Sequence, residues 1–140
     1  MTLERLDNLV KTGEVHEEAA DQGEFERLVS MARRRLADSQ VSELSEEGQF
    51  LAAYNSTHSL AIAAMRWHGY RTTKRYLVFL CLEHTVGMDK AKWRLLDKCH
   101  KQRNLAEYEG EMEVDPQLLK ELVQITNELL ELVESLGPVN

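Results

Sequence analysis

The stretch from Ser45 to His68 constrains the fold more than any other, because its apolar residues cover too wide an arc for a helix that lies on a surface. At 100° per residue, Phe50, Tyr54, Thr57, Ala61 and Ala64 form one stripe, and Leu51, Asn55, His58, Ile62 and Met65 form its neighbour. A helix apolar over so much of its circumference belongs near the centre of a bundle. Ser45 provides the start signal, since a serine oxygen can accept from the free amides of a first turn, and Gly69 provides the stop.

The other segments also read as helices. Leu3, Leu6, Leu9 and Val10 mark a short amphipathic helix over 3–11, followed by an acidic connector over 12–21. Phe25, Leu28, Val29, Ala32 and Leu36 fall at helical spacing between Asp21 and Val41, with Asp21 and Glu24 spaced as in a capping box. Thr72 or Thr73 can cap a helix from Lys74 to about Thr85, and Asp89 can cap the next, which runs to about Glu109 and stops at Gly110. Asp115-Pro116 opens the last helix, where Leu118, Leu122, Ile125, Leu129, Leu132 and Leu136 make a packing seam. No stretch alternates at period two, so no strand is expected. The expectation is an all-α, up-and-down bundle of five or six helices, a single domain over 1–140 with the bundle proper in 22–136.

Composition agrees. Two prolines and seven glycines in 140 residues leave room for long helices. No apolar run approaches the ~20 residues that span a bilayer, and Met1-Thr2-Leu3-Glu4-Arg5 lacks a secretory pattern. Cys81 and Cys99 make no disulfide framework, so a soluble, cytoplasmic protein without membrane association is expected. The net charge of −7 argues against indiscriminate coating of nucleic acid, yet residues 66–103 carry ten basic side chains against three acidic ones. That segment either meets phosphates or an acidic partner, or pairs with the acidic helices of its own fold.

The densest polar cluster lies on the helix expected over 89–109. His100, Arg103, Asn104, Glu107 and Tyr108 share one arc that borders Trp93 and Leu96. Charges beside an apolar face need partners to offset their desolvation. Asn55 and His58 interrupt the apolar stripe of the central helix. They either face Arg103 and complete a polar site or form a core pair that satisfies itself. Cys81 and His84 stand at i and i+3, but no CxxC or HExxH spacing accompanies them, so no metal site is expected. Trp67, Tyr70 and Trp93 read as packing residues, and no phosphate-cradling glycine loop or Ser-His-Asp arrangement is present.

The run Arg103-Asn104-Leu105-Ala106-Glu107-Tyr108 resembles the signature of the HEPN superfamily (higher eukaryotes and prokaryotes nucleotide-binding domain): an arginine, a polar residue after it, and a histidine four to six residues beyond. The likeness extends to the order of helices over residues 22–136, with the motif on the penultimate long helix. It implies a homodimer in which two motifs face each other. It also implies an RNA- or nucleotide-directed role in a bacterial toxin–antitoxin or defence system, as a metal-independent endoribonuclease with no cofactor. The alternative it carries is a non-catalytic module that binds a nucleotide or protein, such as a cognate antitoxin or a nucleotidyltransferase. By position Arg103 is the motif arginine and Asn104 its polar neighbour. Tyr108 stands where the histidine is expected, and tyrosine titrates near 10 rather than near 6.5. His100, one turn before Arg103, is the nearest substitute; the position of the family's modified tyrosine holds Gly110. In the enzymatic reading Arg103 and Asn104 hold the scissile phosphate, a 2′-hydroxyl attacks, and Tyr108, His100 or Glu107 assists proton transfer.

Overall fold

A computed structural model describes residues 3–110 and 113–140. The chain order is α1 (Glu4–Lys11), β1 (His16–Glu17), α2 (Gln22–Asp38), α3 (Glu46–Trp67), β2 (Tyr70–Arg71), α4 (Arg75–Leu80), α5 (Leu82–Thr85), α6 (Lys90–Glu109) and α7 (Pro116–Glu134). With α4 and α5 taken as one interrupted helix, this is an all-α bundle of six helices among the described residues. None of these helices is long and apolar enough to cross a membrane.

α3 sits at the centre, as its wide apolar arc requires. It packs against α2 and α7 along its length and against α4, α5 and α6 elsewhere. Phe50, Ala53, Tyr54, Leu60, Ala61, Ala63 and Ala64 are buried in the main core. Small residues let α2 approach closely, and two α3 hydroxyls bond across to its carbonyls. Ser56 donates to Ala32 O at 2.7 Å and Ser59 to Leu28 O at 2.7 Å.

Local signals place most helix ends. Asp21, Ser45 and Asp115 accept from first-turn amides, and Gly110 closes α6 in the left-handed conformation that glycine adopts without steric cost. Asp89 occupies the N-cap of α6 without a side-chain bond, and α4 is preceded by Lys74 rather than capped by Thr72 or Thr73. Thr72 accepts from the Lys74 amide at 3.2 Å, one residue short of the first turn, and donates to Glu14 O at 2.8 Å. α2 stops at Asp38, short of Val41. In α7 the buried line is Leu118, Leu122, Ile125, Leu129 and Val133. It leaves the Leu132–Leu136 seam in the last turns because a straight helix drifts from a seven-residue repeat.

Three other expectations are corrected. The helix anticipated over 74–85 is interrupted at Cys81, a tightened turn whose carbonyl accepts from both His84 and Thr85. Val78, Phe79 and Leu82 enter the main core, while Leu77 and Cys81 enter a second core with Leu3, Leu6, Leu9, Val15 and Met65. The acidic stretch over 12–21 is more than a connector, since Val15 is fully buried. A strand pair also exists: β1 and β2 are antiparallel, with His16 opposite Arg71. Two residues per strand are too few to show an alternating pattern.

Arg66 fastens this end of the bundle. It is 2% exposed, its Nε donates to Glu24 at 2.6 Å, and its terminal nitrogens donate to the carbonyls of Glu18, Ala19 and Tyr70. Glu24 therefore does not reach back to complete the capping box; it bonds Arg66 and Arg71. Within the basic 66–103 segment, Arg66, Arg71 and Lys92 pair with acidic residues elsewhere in the chain. Lys74, Arg75, Lys90, Arg94 and Lys98 have no carboxylate within 4 Å among the described residues. Intramolecular pairing thus accounts for only part of the basic segment.

Candidate functional site

α6 is held mainly by α4, and its polar arc lies over the middle of α3. Arg103 is 20% exposed. Its guanidinium meets Glu107 through two contacts at 2.9 and 3.0 Å, a fork geometry that fixes the plane of the group. A further bond runs from Arg103 Nη1 to Asn104 Oδ1 at 3.3 Å, and the Arg103 Cζ lies 5.9 Å from the centre of the Tyr54 ring, within cation–π range.

From Arg103 a polar chain runs inward. Arginine can only donate, so Asn104 receives it on Oδ1 and directs its Nδ2 donors toward His100 Nε2 at 3.3 Å. With Nε2 accepting, a neutral imidazole carries its proton on Nδ1, which lies 3.0 Å from Tyr54 Oη. Arg75 Nη1 donates to the same phenolic oxygen at 3.4 Å. Tyr54, a fully buried side chain of α3, thereby joins the first residue of α4 to the polar arc of α6.

An aromatic cluster surrounds this chain. The Tyr54 ring stacks on His58 and on His100 with centroids 6.1 and 6.3 Å apart, and Phe79 tilts against all three. Burial and the cations decide the ionisation states. Burial, reinforced by Arg75, His100 and Arg103, pushes the His58 imidazolium down to about 4. Burial also lowers His100 against the opposing pull of Asp97, and Arg75, Arg103 and Lys101 add to the lowering. Burial raises Tyr54 despite the nearby Arg75 and Arg103. Both histidines and the phenol are therefore neutral near pH 7.

The structure brings together His58, His100, Arg103, Asn104 and Glu107, but not every residue singled out in the sequence. Tyr108 projects into solvent at 84% exposure, because five residues beyond Arg103 the helix has turned about 140° away from the arginine's direction. Asn55 is exposed rather than part of a buried stripe. It lines a groove of about 260 Å³ between α2 and α3 with Leu28, Met31, Arg35 and Ile62, and His58 borders that groove. Tyr54, not Asn55, carries the polar link to α6.

Sequence reasoning set Tyr54 beside Asn55 and His58 without giving it the link to α6, and it missed Arg75 and Phe79 as members of the cluster. A signal existed for Tyr54: a phenol in an otherwise apolar stripe must find a partner for its hydroxyl when buried. Arg75 gave none beyond its charge, since its position depends on how α4 docks. Among the described residues no group of histidine, cysteine and carboxylate side chains could hold a metal ion, and both cysteines are free and buried.

No protein-family model, curated protein or solved structure matches the chain. The chemistry of the cluster therefore has to be read from its own geometry. It offers two guanidinium groups, neutral imidazoles and a neutral phenol, with Glu107 as the carboxylate partner of Arg103. Such a set suits an anion better than a cation.

Proposed function

We propose that the chain is a HEPN-type domain that binds the phosphate of a nucleotide or of single-stranded RNA at Arg103 and does not cut it. The observation that carries this reading is the occupancy of His100. Its two ring nitrogens lie in hydrogen-bond contact with Tyr54 and Asn104, so no lone pair is left to take a proton from a 2′-hydroxyl. Tyr108 takes no part in the chain of bonds that runs from Arg103 through Asn104 and His100 to Tyr54. A phosphate, by contrast, needs only positioned donors, and guanidinium groups bind it in fork geometry.

One observation favours metal-independent ribonuclease activity as a second reading. His100 is held neutral beside a fixed guanidinium, and rotation of the Asn104 amide would free Nε2 as a base. The two readings separate in one experiment. The purified protein is mixed with a 5′-fluorescein 12-mer oligoribonucleotide in EDTA, following binding by anisotropy and cleavage on a gel. The binding reading expects saturable anisotropy, no cleavage, and a loss of roughly ten- to a hundredfold in affinity for Arg103→Gln, the range of a charge-assisted hydrogen bond. Cleavage abolished by Arg103→Gln would establish the nuclease, and absence of both binding and cleavage would remove both.

The homodimer implied by the resemblance has support from α6. Leu105 and Tyr108, one turn apart, are both exposed on its C-terminal half, and a second copy would cover them in a two-fold contact. Sedimentation is expected to give a dimer for the wild type and a monomer for the Leu105→Asp, Tyr108→Asp double variant. A wild-type monomer at micromolar concentration would exclude this interface. A cognate antitoxin or nucleotidyltransferase remains the class of protein partner proposed for the same face.

A further inference from the structure

We propose that Arg75 is a second phosphate-binding residue, gripping from α4 the same group that Arg103 holds from α6. The inference rests on the phosphate-binding reading of Arg103 and adds a residue from a different helix. Three observations converge on it. Arg75 and Arg103 approach Tyr54 from two directions: Arg75 Nη1 is 3.4 Å from the phenolic oxygen, and Arg103 Cζ is 5.9 Å from the ring centre. Their charges are unequally compensated. Arg103 is paired with Glu107, whereas Arg75 has no carboxylate partner among the described residues, and its bond to Tyr54 engages only one of its five donors. On its inner side Arg75 meets neutral groups: Tyr54 accepts its bond, and His58, Phe79 and His100 pack around the Tyr54 ring, while the nearest carboxylates on α6, Glu107 and Asp97, are engaged by Arg103 and Lys101.

A half-buried guanidinium beside neutral aromatic groups is electrostatically incomplete, because desolvation weakens its hydration and no counter-charge replaces it. A phosphate completes it. The group's several oxygens can accept from Arg75 and Arg103 together, and the neutral imidazoles add no repulsion of their own. The exposed Lys74, next to Arg75 at the start of α4, extends the positive field of the pair, which favours a strand of phosphodiesters over an isolated inorganic ion. Tyr54 then has a positioning role: its hydroxyl holds Arg75 in place and its ring supports Arg103.

The test uses the 12-mer oligoribonucleotide and the variants Arg75→Gln, Arg75→Met and Arg103→Gln, with helical content checked by circular dichroism. Arg75→Met retains the aliphatic stem and serves if the glutamine variant unfolds. The expected result is a loss of roughly ten- to a hundredfold in affinity for either Arg75 variant. The plot of log K against log salt should also become shallower by about 0.7, the decrement for one phosphate contact on a single strand. A residue that merely supported Tyr54 would lower affinity without changing that slope. If the wild type binds and Arg103→Gln weakens it while the Arg75 variants keep wild-type affinity or wild-type slope, the inference on Arg75 fails and the reading of Arg103 stands. If the wild type does not bind, the reading of Arg103 fails and takes this inference with it. If both Arg75 variants unfold, Arg75 is a structural residue and the inference is overturned.

Discussion

Arg66→Ala is expected to lower the unfolding free energy by about 3–5 kcal/mol, the cost of breaking a buried ion pair from one side. The side chain is 2% exposed, and removing it leaves more than a carboxylate behind. Glu24 loses a 2.6 Å contact, and the carbonyls of Glu18, Ala19 and Tyr70 lose their guanidinium donor. These groups are only partly buried, so each one left without a partner costs toward the low end of about 1–3 kcal/mol. Arg71 still bonds both Glu18 and Glu24, which keeps the loss below a simple sum. Against a total stability of about 5–15 kcal/mol for a domain of this kind, the variant should melt well below the wild type. Urea denaturation measures the difference directly, and a loss under about 1 kcal/mol would show that the strand pair and its carbonyls find other donors.

Acid should destabilise the protein through His58 well before its carboxylates are protonated. The His58 imidazole titrates at about 4 when folded, against 6.5 for the ordinary side chain. Between these values the unfolded chain binds a proton that the folded chain refuses, so stability rises with pH in this window. The contribution is fully present above pH 6.5 and is lost progressively as pH falls to about 4, amounting to about 3 kcal/mol. Burial is the main cause, and the charges of Arg75, His100 and Arg103 add to it. Replacing His58 with glutamine removes the titrating group, so the variant's stability should be flatter between pH 7 and 4 than that of the wild type. Equal slopes would mean that His58 takes up its proton in the folded state. Glu18 and Glu24 are lowered by their arginine partners and add their own acid loss at lower pH, in both proteins alike.

The central place of α3 was legible because burial on most of a helix leaves a mark at every turn, from Phe50 to Met65. Caps were legible at Asp21, Ser45 and Asp115, where one side chain acts on amides two or three residues away. Thr72 makes a local bond of that kind, to the Lys74 amide, but it also donates to Glu14 O, fifty-eight residues away in the chain, a contact invisible to local spacing. The interruption at Cys81 reflects two cores drawing on one helix, with Leu77 and Phe79 entering different ones. Of the candidate site, the α6 residues from His100 to Glu107 share a face by helical geometry alone. The contributions of Tyr54 and Arg75 depend on how α3, α4 and α6 dock. Asn55 shows the limit of a stripe read at 100° per residue, since a residue beside a buried tyrosine can lie just past the edge of the covered arc.

Arg75 stands on a helix wedged between two hydrophobic interiors: Val78 and Phe79 press on the main one, and Leu77 presses on the one that Leu3, Leu6, Leu9 and Val15 complete. The opening residues of the chain thus brace the reverse side of the α4 platform. Shrinking Leu6, which is fully buried there, would therefore loosen the seat of Arg75 from behind without touching any residue of the polar cluster.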